Sequence, residues 1–144
     1  MTGIETARTK TMRRYLIIAL SITVALTAAI PGPQRFAGTW QARFQGTLIC
    51  TIKVEAREKL SGALYGCSIP VNNDGDLIEA DPPQHPNEPS PITNLRFRDN
   101  TLTFEVNGGS DVMKFELVLT AEDQADLRFL EVPFKIKPIH FERK

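Results

Sequence analysis

Covalent or acid–base chemistry needs a reacting group, a base and something that orients them. This 144-residue chain has two histidines, His85 in a proline-rich stretch and His140 near the C-terminal end. By strand alternation His140 points outward beside Glu142. No Gly-x-Ser-x-Gly elbow, no His-Glu-x-x-His and no glycine-rich phosphate loop occurs. Asp74/Asp76 and Asp123/Asp126 form close carboxylate pairs, but they sit in turns, where Asp is expected for turn chemistry. We therefore assign no catalytic residue and no cofactor, and expect a protein that is not an enzyme.

Metal chemistry fares no better. The stretch Asn72–Asp81 and the residues Pro82, Pro83, His85, Pro86, Glu88, Pro89 and Pro91 hold five carboxylates and no basic side chain. Oxygen ligands beside a glycine raise calcium as a ligand. Reading Gly75 as the sixth loop position, however, puts Pro70 first, where an EF-hand needs a carboxylate. The expectation is a solvated loop stiffened by prolines, with His85 exposed in it. Cys50 and Cys67 lack a nearby histidine to complete a tetrahedral zinc set, so no metal is expected.

The elements that must position these residues show period-two alternation. Trp40, Ala42 and Phe44 share one face, and Gln45-Gly46 turns the chain. Leu48, Cys50, Ile52 and Val54 share the next inward face, Arg57-Glu58-Lys59 makes a hairpin tip, and Leu60–Cys67 returns. After the long gap come Ile92–Arg98, Thr101–Val106, Asp111–Thr120 and a run carrying Leu127 and Phe129. A last strand holds Phe134 and Ile136 inward, then Ile139 and Phe141 after a parity change at Pro138, which implies a bulge or a missing ladder bond. Asn107-Gly108-Gly109-Ser110 is a strong hairpin turn. About eight antiparallel strands close into a barrel or stack as a sandwich. Closure is favoured because it removes edges, which gives an all-β, eight-stranded, up-and-down barrel, expected to be a monomer.

Cys50 and Cys67 flank the hairpin tip symmetrically and should face each other. In an oxidising compartment they are expected to be joined, closing a loop of ~16 residues worth about 3 kcal/mol in the chain-entropy model. The alternative is two buried free thiols. One conflict stands: with Leu60 and Leu64 inward alongside Leu48 and Cys50, Cys67 has the wrong parity unless a bulge near Gly66 corrects it.

The oxidising compartment is read from the first residues. Arg8, Lys10, Arg13 and Arg14 precede the apolar run 15–26, then Thr27-Ala28-Ala29 and the breakers Pro31-Gly32-Pro33. That order is a secretory signal peptide over 1–29, cleaved after Ala29; the alternative, an uncleaved anchor, wants a longer apolar run of ~20 residues. The expected organisation is thus a signal peptide (1–29), a linker (30–37) and one domain (38–144), secreted or periplasmic, with no membrane contact after cleavage. The whole chain has 17 basic and 17 acidic side chains; removing four basic groups and one acidic group leaves 13 against 16, or −3. A mildly acidic domain gives no electrostatic reason to bind nucleic acid.

Gly38-Thr39-Trp40 opens the first strand and Arg143 closes the last, a pairing that resembles the calycin superfamily of lipocalin-like barrels. The resemblance implies that Trp40 plugs the closed end while Arg143 stacks across its indole, with Gly38 beside them. Gly38-Thr39-Trp40-Gln41, Ile69-Pro70-Val71, Leu95-Arg96-Phe97 with Leu102-Thr103-Phe104, and the basic tail Phe141–Lys144 resemble small bacterial extracytoplasmic domains that begin Gly-Thr-Trp-Gln. The cysteine pair and the long acidic loop depart from that pattern. Gly38, Trp40, Cys50 and Cys67 also fit the outline of bacterial metalloprotease inhibitors, in which an N-terminal trunk enters the protease cleft; the stretch Ile30–Arg35 is short and proline-rich for that role. The expected function is an exported binding or scaffold module whose partner is a small apolar ligand or another protein; the alternative is a protease inhibitor. Its eight phenylalanines should fill most of the interior and leave a shallow mouth, with no ligand-binding residue assignable.

Overall fold

The computed structural model describes residues 32–79 and 81–144. The signal-peptide reading falls on 1–29, outside the described residues. Eight strands follow one another around a closed antiparallel barrel: β1 (Gly38–Phe44), β2 (Thr47–Ala56), β3 (Leu60–Tyr65), β4 (Pro89–Arg98), β5 (Thr101–Asn107), β6 (Val112–Ala121), β7 (Gln124–Leu130) and β8 (Ile139–Arg143). β8 closes the cylinder on β1 through Trp40 opposite Arg143 and Gln41 opposite Glu142. No helix among the described residues is long and apolar enough to cross a membrane.

Alternation sets the core. Ile52 and Val54 of β2, Leu102, Phe104 and Val106 of β5, Phe115, Leu117 and Leu119 of β6, Ala125 and Leu127 of β7, and Ile139 and Phe141 of β8 are all buried. Phe104 stacks on Phe115, which meets Phe129 edge-on. Such aromatic pairs add ~0.5–1.5 kcal/mol beyond their buried area. Gly32–Phe36, within the segment read as a linker, winds into a 3-10 turn under the barrel, and Phe36 is part of the core.

Four features depart from simple alternation. In β2 the register slips where Ala42 faces Cys50 but Arg43 faces Leu48, so Ile49 is the extra residue of a bulge. Ile49 is buried beside Cys50, and Leu48, expected inward, is only half-buried. β4 begins at Pro89, earlier than the expected Ile92. Pro89 and Pro91 pair with Tyr65 and Ala63; their alternate spacing puts both missing donors on one edge, and β4 has no β5 partner until Ile92.

The third departure corrects the expected last strand. Residues 131–138 are not extended ladder: β7 ends at Leu130, Glu131 takes a left-handed φ of 55°, and Phe134 is 53% exposed. Pro133 and Pro138 bracket the segment and cannot donate to a ladder, so Pro138 stands ahead of β8 and breaks no bond within it. The fourth concerns the acidic loop, expected to be solvated throughout. Its first part is a small hairpin: Val71 bridges Leu77, the Asn72 amide donates to the Asp76 carbonyl (3.0 Å), and the Asn72 side-chain oxygen accepts from the amides of Asp74 and Asp76 (3.0 Å each). Ile69 and Leu77 pack against the core.

Candidate functional site

The two ends of the barrel differ in chemistry. At the base Trp40 is fully buried and its indole N–H donates to the Phe36 carbonyl (2.9 Å). The Arg143 guanidinium lies over the indole, 4.3 Å from the ring centre. Its nitrogens donate to the carbonyls of Ala37, Arg35 (2.6 Å) and Glu122 (3.0 Å), and Nε meets Asp123 (3.1 Å). A planar fork is the side chain that can stack and donate in several directions at once. Gly38 has φ +130°, and a Cβ there would stand 3.2 Å from Arg143 Nη1. The base is therefore sealed by Gly38, Trp40 and Arg143 together.

The other end is open. Tyr65 pairs with Thr51 at the end of β3; Gly66 then takes φ +53° and turns the chain so that Cys67 reaches back to Cys50. The two are joined in a disulfide. In place of the expected bulge, β3 ends at Tyr65 and the turn at Gly66 resolves the parity conflict: Cys67 lies beyond the strand, with the Ser68 amide donating to the Ile49 carbonyl (2.8 Å). The bridge ties the root of the 66–88 loop to the barrel wall.

Behind this bridge is a cavity of about 420 Å³. Leu64, Phe104, Met113 and Phe129 form its floor and walls, Ile69 comes from the acidic loop, and Phe134 stands at its rim. Among the described residues no charged side chain lines it. Two segments cross the opening and hold each other. The Lys137 amide donates to the Gly75 carbonyl (3.0 Å), and the Lys137 ammonium pairs with the Asp76 carboxylate. Hairpin 71–77 and segment 131–138 thus make a strap over the mouth. Toward the base, Phe36, Trp40 and Phe141 are fully buried.

A second cleft, of about 640 Å³, runs outside the first between residues 66–70 and 79–90. It shares Gly66, Cys67 and Ser90 with the mouth cavity. Its lining carries Glu79, Asp81, Glu88 and His85, and no lysine or arginine. Pro83 and Pro86 lie against Gly66 so closely that a Cβ there would meet Pro86 Cα at 2.9 Å; this part of the loop is folded onto the barrel.

The remaining reactive groups stay apart from both hollows or from one another. His140 faces Asp126 (3.3 Å) and Glu142 (3.7 Å) on the outer surface. Asp74 and Asp76 serve the hairpin turn, and Asp123 serves Arg143. Among the described residues no three histidine, cysteine or acidic side chains converge as a metal site. The mouth cavity carries no sequence signature: its residues come from strands β2 to β7, the loop and the strap, and each reads in isolation as ordinary core.

Together these features define a closed eight-stranded antiparallel barrel, compatible with a lipocalin-like fold, plugged at one end and hollow at the other. Comparison with models of protein families, with curated proteins and with solved structures gave no match.

Proposed function

We propose that this chain is an exported lipocalin-like binding protein that holds a small apolar molecule in the mouth of its barrel. The observation that carries the reading is the uncharged cavity of about 420 Å³, within the usual range of ligand pockets. At about 30 Å³ per small group it admits on the order of 14 non-hydrogen atoms. With roughly 0.3–0.6 kcal/mol per atom, that corresponds to a Kd between about millimolar and about micromolar. Export is supported by the basic-then-apolar N-terminal order and by the Cys50–Cys67 bond. Gly38-Thr39-Trp40 with Arg143 supports kinship with the exported Gly-Thr-Trp domains. Binding is favoured over catalysis because His140 lies on the outer surface near Asp126 and Glu142, away from the mouth cavity. A closed barrel leaves no strand edge to recruit a second copy, which favours a monomer.

Protease inhibition through the N-terminal segment would require residues 32–37 to leave the base, where Phe36 is fully buried and its carbonyl accepts the indole hydrogen of Trp40. The test of the binding reading is titration with a small uncharged environment-sensitive dye such as 1-aminonaphthalene, which lies within that atom count. One saturable site is expected, weakened severalfold by Met113→Trp, which takes up part of the cavity, with the far-UV spectrum unchanged. Absence of saturable binding, or binding unaffected by Met113→Trp, would overturn it.

A further inference from the structure

The two halves of the strap hold themselves well and each other weakly. Hairpin 71–77 carries its own bonds: Asn72 donates to the Asp76 carbonyl, accepts from the Gly75 amide, and caps Asp74 and Asp76 with its side chain. Segment 131–138 lies outside the ladders of β7 and β8, which end at Leu130 and begin at Ile139, and it starts at the left-handed Glu131. Among the described residues, one backbone hydrogen bond (Lys137 to Gly75) and one ion pair (Lys137 with Asp76) join the halves. Both side chains of that pair are about half exposed, so the pair is weak and screened by salt. Each half also supplies wall: Val71 from the hairpin and Ile136 from the segment line the mouth cavity. Gly75 is buried where the halves meet, and a Cβ there would stand 2.8 Å from the Lys135 carbonyl oxygen and 3.1 Å from the Ile136 Cα. Contact between the halves therefore requires a residue without a side chain at that position.

The mouth stays open to water around the strap, but from this construction we infer that the strap is a gate for anything larger. A ligand enters and leaves the cavity when hairpin 71–77 and segment 131–138 part at the contact of Gly75 with Lys137. The inference rests on the proposed binding function and adds the route and the element that limits exchange. Parting breaks two polar contacts, and water can replace both. The hairpin's own bonds, the disulfide and the eight-strand ladder stay intact. The cost is the uncovering of Leu77 and Ile136, which pack against the core, so the joined form is the resting one. An element with so few ties opens at the low end of the local-stability range, on the timescale of lid motions.

The test is stopped-flow mixing with 1-aminonaphthalene, which reads entry and exit rates, beside the equilibrium titration. Gly75→Asn is the informative variant. Asparagine tolerates the left-handed φ of +82°, so the turn is kept while the new Cβ wedges against the backbone of 135–136. Entry and exit should both speed up at least about fivefold, with Kd changing less than either rate. Asp76→Asn removes only the ion pair and should speed both by about twofold to fivefold. Added salt should quicken exchange in the natural protein and have little effect in Asp76→Asn. A strap that is merely a fixed wall gives the other pattern: in Gly75→Asn exit quickens, entry is unchanged or slower, and Kd weakens in step. That result would overturn the gate and leave the cavity reading standing. If the natural protein shows no saturable binding in the titration, the binding reading fails and the gate with it.

Discussion

Replacing Arg143 by methionine, which keeps the length and apolar contact of the stem and removes the fork, should destabilise the barrel by about 2–4 kcal/mol. The estimate follows from its contacts. Stacking on Trp40 contributes ~0.5–2 kcal/mol. Three carbonyls, of Ala37, Arg35 and Glu122, accept from the guanidinium, and hydrogen bonds from a charged donor are worth roughly 1.5–3 kcal/mol each. The side chain is 23% exposed, so water can replace part of that set, which brings the sum down. The Asp123 pair is mostly exposed and adds about 0–1 kcal/mol. For a folded unit of this size the loss corresponds to a fall of roughly 10–15 °C in Tm. Urea unfolding followed by the fluorescence of the chain's one tryptophan, Trp40, measures it directly. Arg143→Lys, which keeps the charge and loses the planar fork, should recover less than half of the stability. A loss under about 1 kcal/mol in the methionine variant, or full recovery with lysine, would refute the view that this side chain locks the base.

Two further outcomes bear on the mouth and the outer wall. Cys50→Ala/Cys67→Ala should cost about 3 kcal/mol, and amide exchange should accelerate first at Ser68, whose N–H bonds to Ile49 beside the bridge; equal acceleration around the whole barrel would contradict a local latch. Lys114, on β6, has its pKa raised above the ordinary 10.5, first by its hydrogen bond to Glu131 and then by that carboxylate's charge. A cation whose folded pKa is raised stabilises fully below the unfolded value and loses that contribution as pH climbs through the folded one. Stability should therefore not respond to this group between pH ~6 and ~9, and Glu131→Gln should lower the Lys114 titration midpoint seen by NMR.

Much of the barrel was legible because burial repeats every second residue. Leu102, Phe104 and Val106, or Phe115, Leu117 and Leu119, announce an inward face with no help from the rest of the chain. What alternation cannot carry is an extra residue. The bulge at Ile49 leaves two neighbouring apolar residues buried, which in sequence is indistinguishable from one inward and one outward residue. The segment 131–138 misled for a related reason: Phe134 and Ile136 alternate with lysines as a strand would, yet Glu131 turns the chain and two prolines keep it out of the ladder. Order in the acidic loop depends on a partner some sixty residues away, Lys137, which no local reading of Asn72–Asp76 could supply. The disulfide was visible as symmetry about the hairpin tip, but its geometry depended on one left-handed glycine.

The contrast between the two ends explains why a small barrel can carry a void. A cavity in a core removes contacts and costs free energy roughly in proportion to its volume. Here the void sits at the mouth, open to solvent, and the elements around it are held by other means: the covalent bond from Cys50 to Cys67, and the strap joined through Gly75, Asp76 and Lys137. The base compensates with directed contacts: Arg143 fastens two carbonyls ahead of β1, of Arg35 and Ala37, and a third, of Glu122, in the β6–β7 turn. The seam of β1 and β8 has two paired residues, the shortest ladder in the cylinder, so the closure that creates an enclosed mouth depends on the guanidinium more than on strand pairing. Loss of Arg143 should accordingly speed amide exchange along β1 and β8 more than in the β4–β7 wall, and equal acceleration in both would count against this role for the guanidinium.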